Sequence, residues 1–110
     1  MTQDGNMGSA GRIKVVVDRD IEELIPGFLE NRQADIRSIL GSLEDDDYET
    51  VRILGHSMKG AGGGYGFDAI SDIGQNLESA AREKNAWAIK KMVSDLASYL
   101  EQVDIVYEEQ

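Results

Sequence analysis

The chain has 110 residues, 41% of them apolar, which gives room for one domain with one core. It has no cysteine, hence no disulfide framework, zinc-thiolate site or thiol nucleophile. Its formal net charge of −10, from 21 acidic and 11 basic residues, repels phosphate backbones and anionic bilayers, which argues against nucleic-acid and membrane partners.

No apolar run approaches the ~20 residues needed to cross a bilayer. The first residues carry no charged-then-apolar signal pattern. These features predict a soluble, cytoplasmic protein, expected to be a monomer. Residues 1–17 read as a flexible or extended segment. Met1 to Gly11 is polar and without periodicity, and Ile13–Val17 is a short apolar run suited to extended backbone.

Residues 18–110 read as one helical domain. Asp18 or Asp20 caps a short helix starting near Ile21. The apolar spacing then runs on through Phe28, Leu29, Ile36, Ile39, Leu40 and Leu43. Pro26 falls inside that pattern. Proline suits a helix's first turn and costs about 3 kcal/mol in its interior, so a new long helix should begin near Pro26. Glu44 to Asp47 closes it. That acidic cluster fails the calcium-loop test: counted from Asp45, the sixth and twelfth positions are Thr50 and His56, where glycine and glutamate are required. It reads as a solvated turn that caps the next helix.

The next helix starts near Asp47 or Tyr48 and carries the only histidine, His56. After a break near Gly66, the spacing of Phe67, Ile70, Ile73, Leu77 and Ala81 predicts another helix ending near Lys84. Asn85 caps the last one, whose apolar face is Trp87, Ile89, Val93, Leu96, Leu100, Val103 and Tyr107. The expected fold is all-α, an antiparallel up-down four-helix bundle with a short extra N-terminal helix.

Helical geometry advances about 100° per residue, which places Val51, Leu54, Met58, Ala61 and Tyr65 on one stripe and His56 about 180° from its middle. A core histidine belongs on the stripe, and this one lies opposite it. Its own face carries Glu49, Arg52, Ile53, Lys59, Gly60 and Gly63. Lys59, one turn on, can reach an anion held on the imidazole. Gly60 and Gly63 leave that face bare for another surface. The glycine run 60–66 does not spell G-x-G-x-x-G, follows no strand and ends in no Gly-Lys-Ser/Thr, so a nucleotide loop is not supported.

The residues His56-Ser57-Met58-Lys59-Gly60, then Gly66, then Leu77-Glu78, resemble the H-x-x-K-G…G…L-E pattern of histidine phosphotransfer (HPt) domains of two-component phosphorelays. The likeness covers roughly residues 20–107. It implies that the His56 helix continues through the glycines to about Gly64. It implies His56 as the phosphorylated residue, Lys59 as the phosphate-neutralising one and Gly60 as a position of close approach. Glu78 matches a position where some members hold the imidazole by a hydrogen bond, and a carboxylate there would fix the tautomer. Met58 stands where leucine is common, a conservative exchange.

On this resemblance the chain is a phosphoryl carrier and co-substrate, with no kinase or ATPase activity of its own. Its partners are receiver domains of response regulators or hybrid histidine kinases. Arg52, Ile53, Lys59, Gly60 and Gly63 form the docking face. No cofactor or metal is expected on this chain, and the magnesium belongs to the receiver. Two other readings stay open: a receiver-binding adapter without phosphotransfer, and a structural helical bundle.

Overall fold

The computed structural model describes residues 12–109. The expectation of a flexible segment over Met1 to Gly11 lies outside the described residues. Strand β1 spans Ile13–Asp18, followed by a 3-10 segment, Arg19–Leu24. Four helices follow: α1 (Ile25–Glu44), α2 (Tyr48–Tyr65), α3 (Asp68–Arg82) and α4 (Ala86–Gln102). Strand β2, Val103–Glu108, is the last of the described elements. Pro26 sits in the first turn of α1, where its missing N–H breaks no helical bond.

The helices close into a ring: α1 packs on α2, α2 on α3, α3 on α4, and α4 back on α1. Their shared core holds Ile25, Ile39, Val51, Met58, Phe67, Ile70, Leu77, Ile89 and Leu96, all fully buried. Phe28 stacks on Phe67 at 5.2 Å between ring centres and carries the Arg32 guanidinium at 4.7 Å on its ring. Arg32 also bonds Asp35 at 2.9 Å. Burial pushes the Asp35 carboxyl up from its ordinary value, and Arg32 offsets part of that rise.

The all-α expectation needs a correction. Val103 to Glu108 does not continue α4. The backbone turns extended at Val103 (φ −71°, ψ 132°), and β2 pairs in parallel with β1, from Ile13 opposite Val103 to Asp18 opposite Glu108. Val103, Ile105 and Tyr107 alternate inward, the period of a strand, and β-branched residues favour that backbone. The whole bundle is the crossover that parallel pairing requires. Val17 enters the core at 2% exposure, so the expected division after residue 17 falls within a strand that packs on the bundle.

A second correction concerns Trp87, expected on the inner face of the last helix. It is 75% exposed. The buried line of α4 is Ile89, Val93, Leu96 and Tyr99, and at about 100° per residue Trp87 lies nearly opposite it.

Caps set the helix starts. The Asn85 side chain accepts from the Ala88 N–H at 3.0 Å. Asp47 accepts from the Thr50 N–H at 3.0 Å and from its hydroxyl at 2.6 Å. These bonds, the hydroxyl first, hold the Asp47 carboxyl below its ordinary value. A carboxylate depressed in the folded state adds stability that is present above its unfolded pKa and lost as pH falls through the folded one. Asp47→Asn is therefore expected to melt below the wild type at neutral pH. The gap should narrow as pH falls below about 4. Parallel thermal melts across that range check this.

Candidate functional site

The site is built where α2 lies on α3. Glycines let the two backbones nearly touch. A Cβ added at Gly55 would lie 2.8 Å from the Glu78 nitrogen and from the Gly74 oxygen. At Gly62 it would lie 2.6 Å from the Ser71 nitrogen, and at Gly74 only 2.5 Å from the Lys59 nitrogen. No real side chain survives such approaches. Contacts descend along α3 as they rise along α2: 55 with 78, 59 with 74, 62 with 71.

This close packing rotates the buried line of α2 from the position expected of its apolar residues. The fully buried positions are Val51, Gly55, Met58 and Gly62, whereas Leu54, Ala61 and Tyr65 are half-buried. Within the glycine run, Gly62 is a packing residue, buried against Ile70 and Ser71. The glycine-rich half of α2 stays helical for identifiable reasons. The Ser71 hydroxyl donates to the Lys59 carbonyl at 2.9 Å. Gly66 then ends the helix in the left-handed region (φ 88°), and the Phe67 N–H returns to the Gly62 carbonyl at 2.8 Å, while the Phe67 ring is buried.

His56 stands on the edge of this seam, its side chain 70% exposed. Across the seam, the Glu78 side chain is only 7% exposed, and its Oε2 lies 3.2 Å from His56 Nδ1. A carboxylate only accepts, so the hydrogen of this contact belongs to Nδ1. The ring's other nitrogen, Nε2, is then the one with a free lone pair. The same Oε2 also accepts from the Arg82 guanidinium at 2.9 Å. Gly55 and Gly74 make this bridge possible, because a wider helix spacing would pull Glu78 out of reach. Apolar periodicity misses Gly55 and Gly74. Their one signal in the sequence is glycine at 55 and 62, seven residues apart on one face, with another at 74 on the facing helix.

The other expected site residues surround His56 without closing on it. Lys59 is exposed, and among the described residues its ammonium pairs with no carboxylate. Arg52 lies flat against Glu49, with bonds of 3.0 and 2.5 Å. Ile53 is half exposed. A Cβ at Gly60 would meet nothing within 4 Å, and one at Gly63 would meet only the Ser71 hydroxyl at 3.8 Å. Among the described residues, no group of three or more His, Asp or Glu could hold a metal ion, and no helix is long and apolar enough to cross a membrane.

The arrangement presents one imidazole nitrogen with an open lone pair, its ring held from behind, on an exposed face with the exposed Lys59 ammonium one turn away. A family model described as Hpt domain matches residues 23–105. No curated protein and no solved structure matched the chain. Hpt domains are phosphocarrier modules of two-component phosphorelays and interact with receiver domains. The matched span begins just before α1 and ends within β2, taking in the entire helical ring and the His56–Glu78 seam, and the chain belongs to the Hpt domain family.

Proposed function

We propose that this protein carries a phosphoryl group on His56 Nε2 and exchanges it with an aspartate of receiver domains, acting as a co-substrate without kinase activity. One observation carries the reading: Nδ1 is held by buried Glu78 while the side chain that bears Nε2 is 70% exposed. Glu78 fixes the ring and its tautomer. Lys59 neutralises charge on the arriving phosphoryl oxygens. Gly60 and Gly63 leave clearance for the receiver, and Arg52 and Ile53 border the docking face. Short connections and the descending contacts between α2 and α3 support an antiparallel up-down bundle preceded by the 3-10 segment. We take the protein to act in the cytoplasm, as a monomer. The receiver contributes the magnesium and the acidic pocket.

The test is to mix the protein with a receiver labelled on its aspartate. Label should move to this protein, be lost in acid and persist in alkali, as a phosphorus–nitrogen bond requires. It should map to the peptide containing His56. Receivers that bind the protein yet pass it no label would overturn the reading in favour of an adapter.

A further inference from the structure

Glu78 Oε2 serves two donors at once, His56 Nδ1 at 3.2 Å and Arg82 at 2.9 Å. We infer that Arg82 is a positioning residue that, through Glu78, sets how tightly His56 holds a phosphoryl group. The inference rests on the phosphoryl-carrier reading above.

The chemistry gives the reason. The Nε2 lone pair attacks phosphorus and the N–P bond forms. The P–O bond to the receiver's carboxyl breaks, and its electron pair leaves on the receiver's carboxylate. The hydrogen on Nδ1 stays in place. The ring ends as a phosphoimidazolium carrying positive charge, and the protein's own counter-charge, on the side away from the phosphoryl oxygens, is the buried carboxylate of Glu78. A buried, uncompensated carboxylate at 3.2 Å would stabilise that cation and make the phosphoryl group reluctant to leave. Arg82 draws on the same oxygen and tempers that pull. A carrier must give up what it accepts, so this moderation serves transfer in both directions.

The other cations around the pair make no hydrogen bond to Glu78. Arg52, on α2, feels the Glu78 charge at longer range, but its own bonds go to both oxygens of Glu49. Lys59 points from α2 with no carboxylate partner among the described residues, free for the phosphoryl oxygens instead. Among the described residues, Arg82 is the one cation that bonds the carboxylate holding the ring. Its side chain is 60% exposed, so the domain folds without it.

The experiment measures the equilibrium of phosphoryl exchange between a labelled receiver and the wild type, Arg82→Gln, Arg82→Lys, Glu78→Gln and the double variant. An equilibrium between free species is blind to docking, which alters rates in both directions alike. Arg82→Gln should shift it toward phosphohistidine by about threefold or more, a screened, partly exposed charge acting on a buried one. Arg82→Lys should restore much of the wild-type value. In the Glu78→Gln background, loss of Arg82 should change nothing. A shift of the opposite sign, or one that persists without Glu78, would mean that Arg82 binds the phosphoryl group directly and would overturn the inference. So would no shift at all. Failure of the wild type to accept label is a separate result and counts against the carrier reading. In that case the ¹⁵N signals of His56 still decide the Arg82 coupling. They should report a stronger Nδ1–H bond in Arg82→Gln than in the wild type, and an unchanged signal overturns the coupling.

Discussion

The His56→Gln variant is expected to fold as the wild type does and to take up no label from a phosphorylated receiver. The side chain is mostly exposed and contributes nothing to the core, so its replacement falls among the near-neutral surface changes. Glutamine keeps a polar group that can donate to Glu78 and offers no nitrogen lone pair for phosphorus. The loss should therefore be complete rather than graded, as removal of a nucleophile differs from removal of a helper. Lys59→Ala, by contrast, should slow transfer while leaving label on His56, because charge neutralisation assists the transition state without forming the bond. Gel autoradiography with matched melting curves measures both. Full labelling of His56→Gln would mean that another residue is the acceptor.

Gly74→Ala is expected to destabilise the domain by about 3 kcal/mol, within the range seen when a packed interface is overfilled. The sign is not obvious, since alanine gains about 1 kcal/mol over glycine inside a helix. Geometry decides it. The new Cβ would lie 2.5 Å from the Lys59 nitrogen, 2.7 Å from the Gly55 oxygen and 3.0 Å from the Lys59 Cα. All three are backbone atoms and cannot swing away, so α2 and α3 must separate. Gly60→Ala is the control. Its Cβ meets nothing within 4 Å, and the propensity gain stands alone, about 1 kcal/mol of added stability. Urea titration of the two variants should thus move in opposite directions. If both gained stability, the close approach of the helices would be wrong.

These glycines also mark where the sequence is readable and where it is not. Helix order follows from apolar spacing and from Asp47 and Asn85, because a cap and a stripe are local signals that need no knowledge of the partner element. The exposed setting of His56 follows from the same arithmetic. The rotation of α2 does not. Periodicity counts side chains that seek the core, and Gly55, Gly62 and Gly74 have none, yet they draw the helix most closely to its neighbour. Trp87 fails for the converse reason: its size and apolarity suggested the core, but at the first turn of α4 its angle points it away. The C-terminal strand is hidden because Val103 and Tyr107 fit helical spacing as well as alternation. The deciding partner, Ile13 to Asp18, lies some 90 residues earlier in the chain.

That distance along the chain shapes how the molecule assembles. Each helix can find its neighbour across a connection of two or three residues, so the bundle is dominated by local contacts of the kind that form early and fast. The β1–β2 pair joins the most distant parts of the chain. Its closure entropy is recovered only after the helices have drawn those ends together. The strands are therefore expected to form last and to open first, which hydrogen exchange of the β1 and β2 amides checks. The His56–Glu78 seam lies between helices joined by the two-residue turn Gly66–Phe67, so it is expected among the parts that form early. A nascent or partly opened molecule is then expected to have its His56–Glu78 pair in place before β1 and β2 have met.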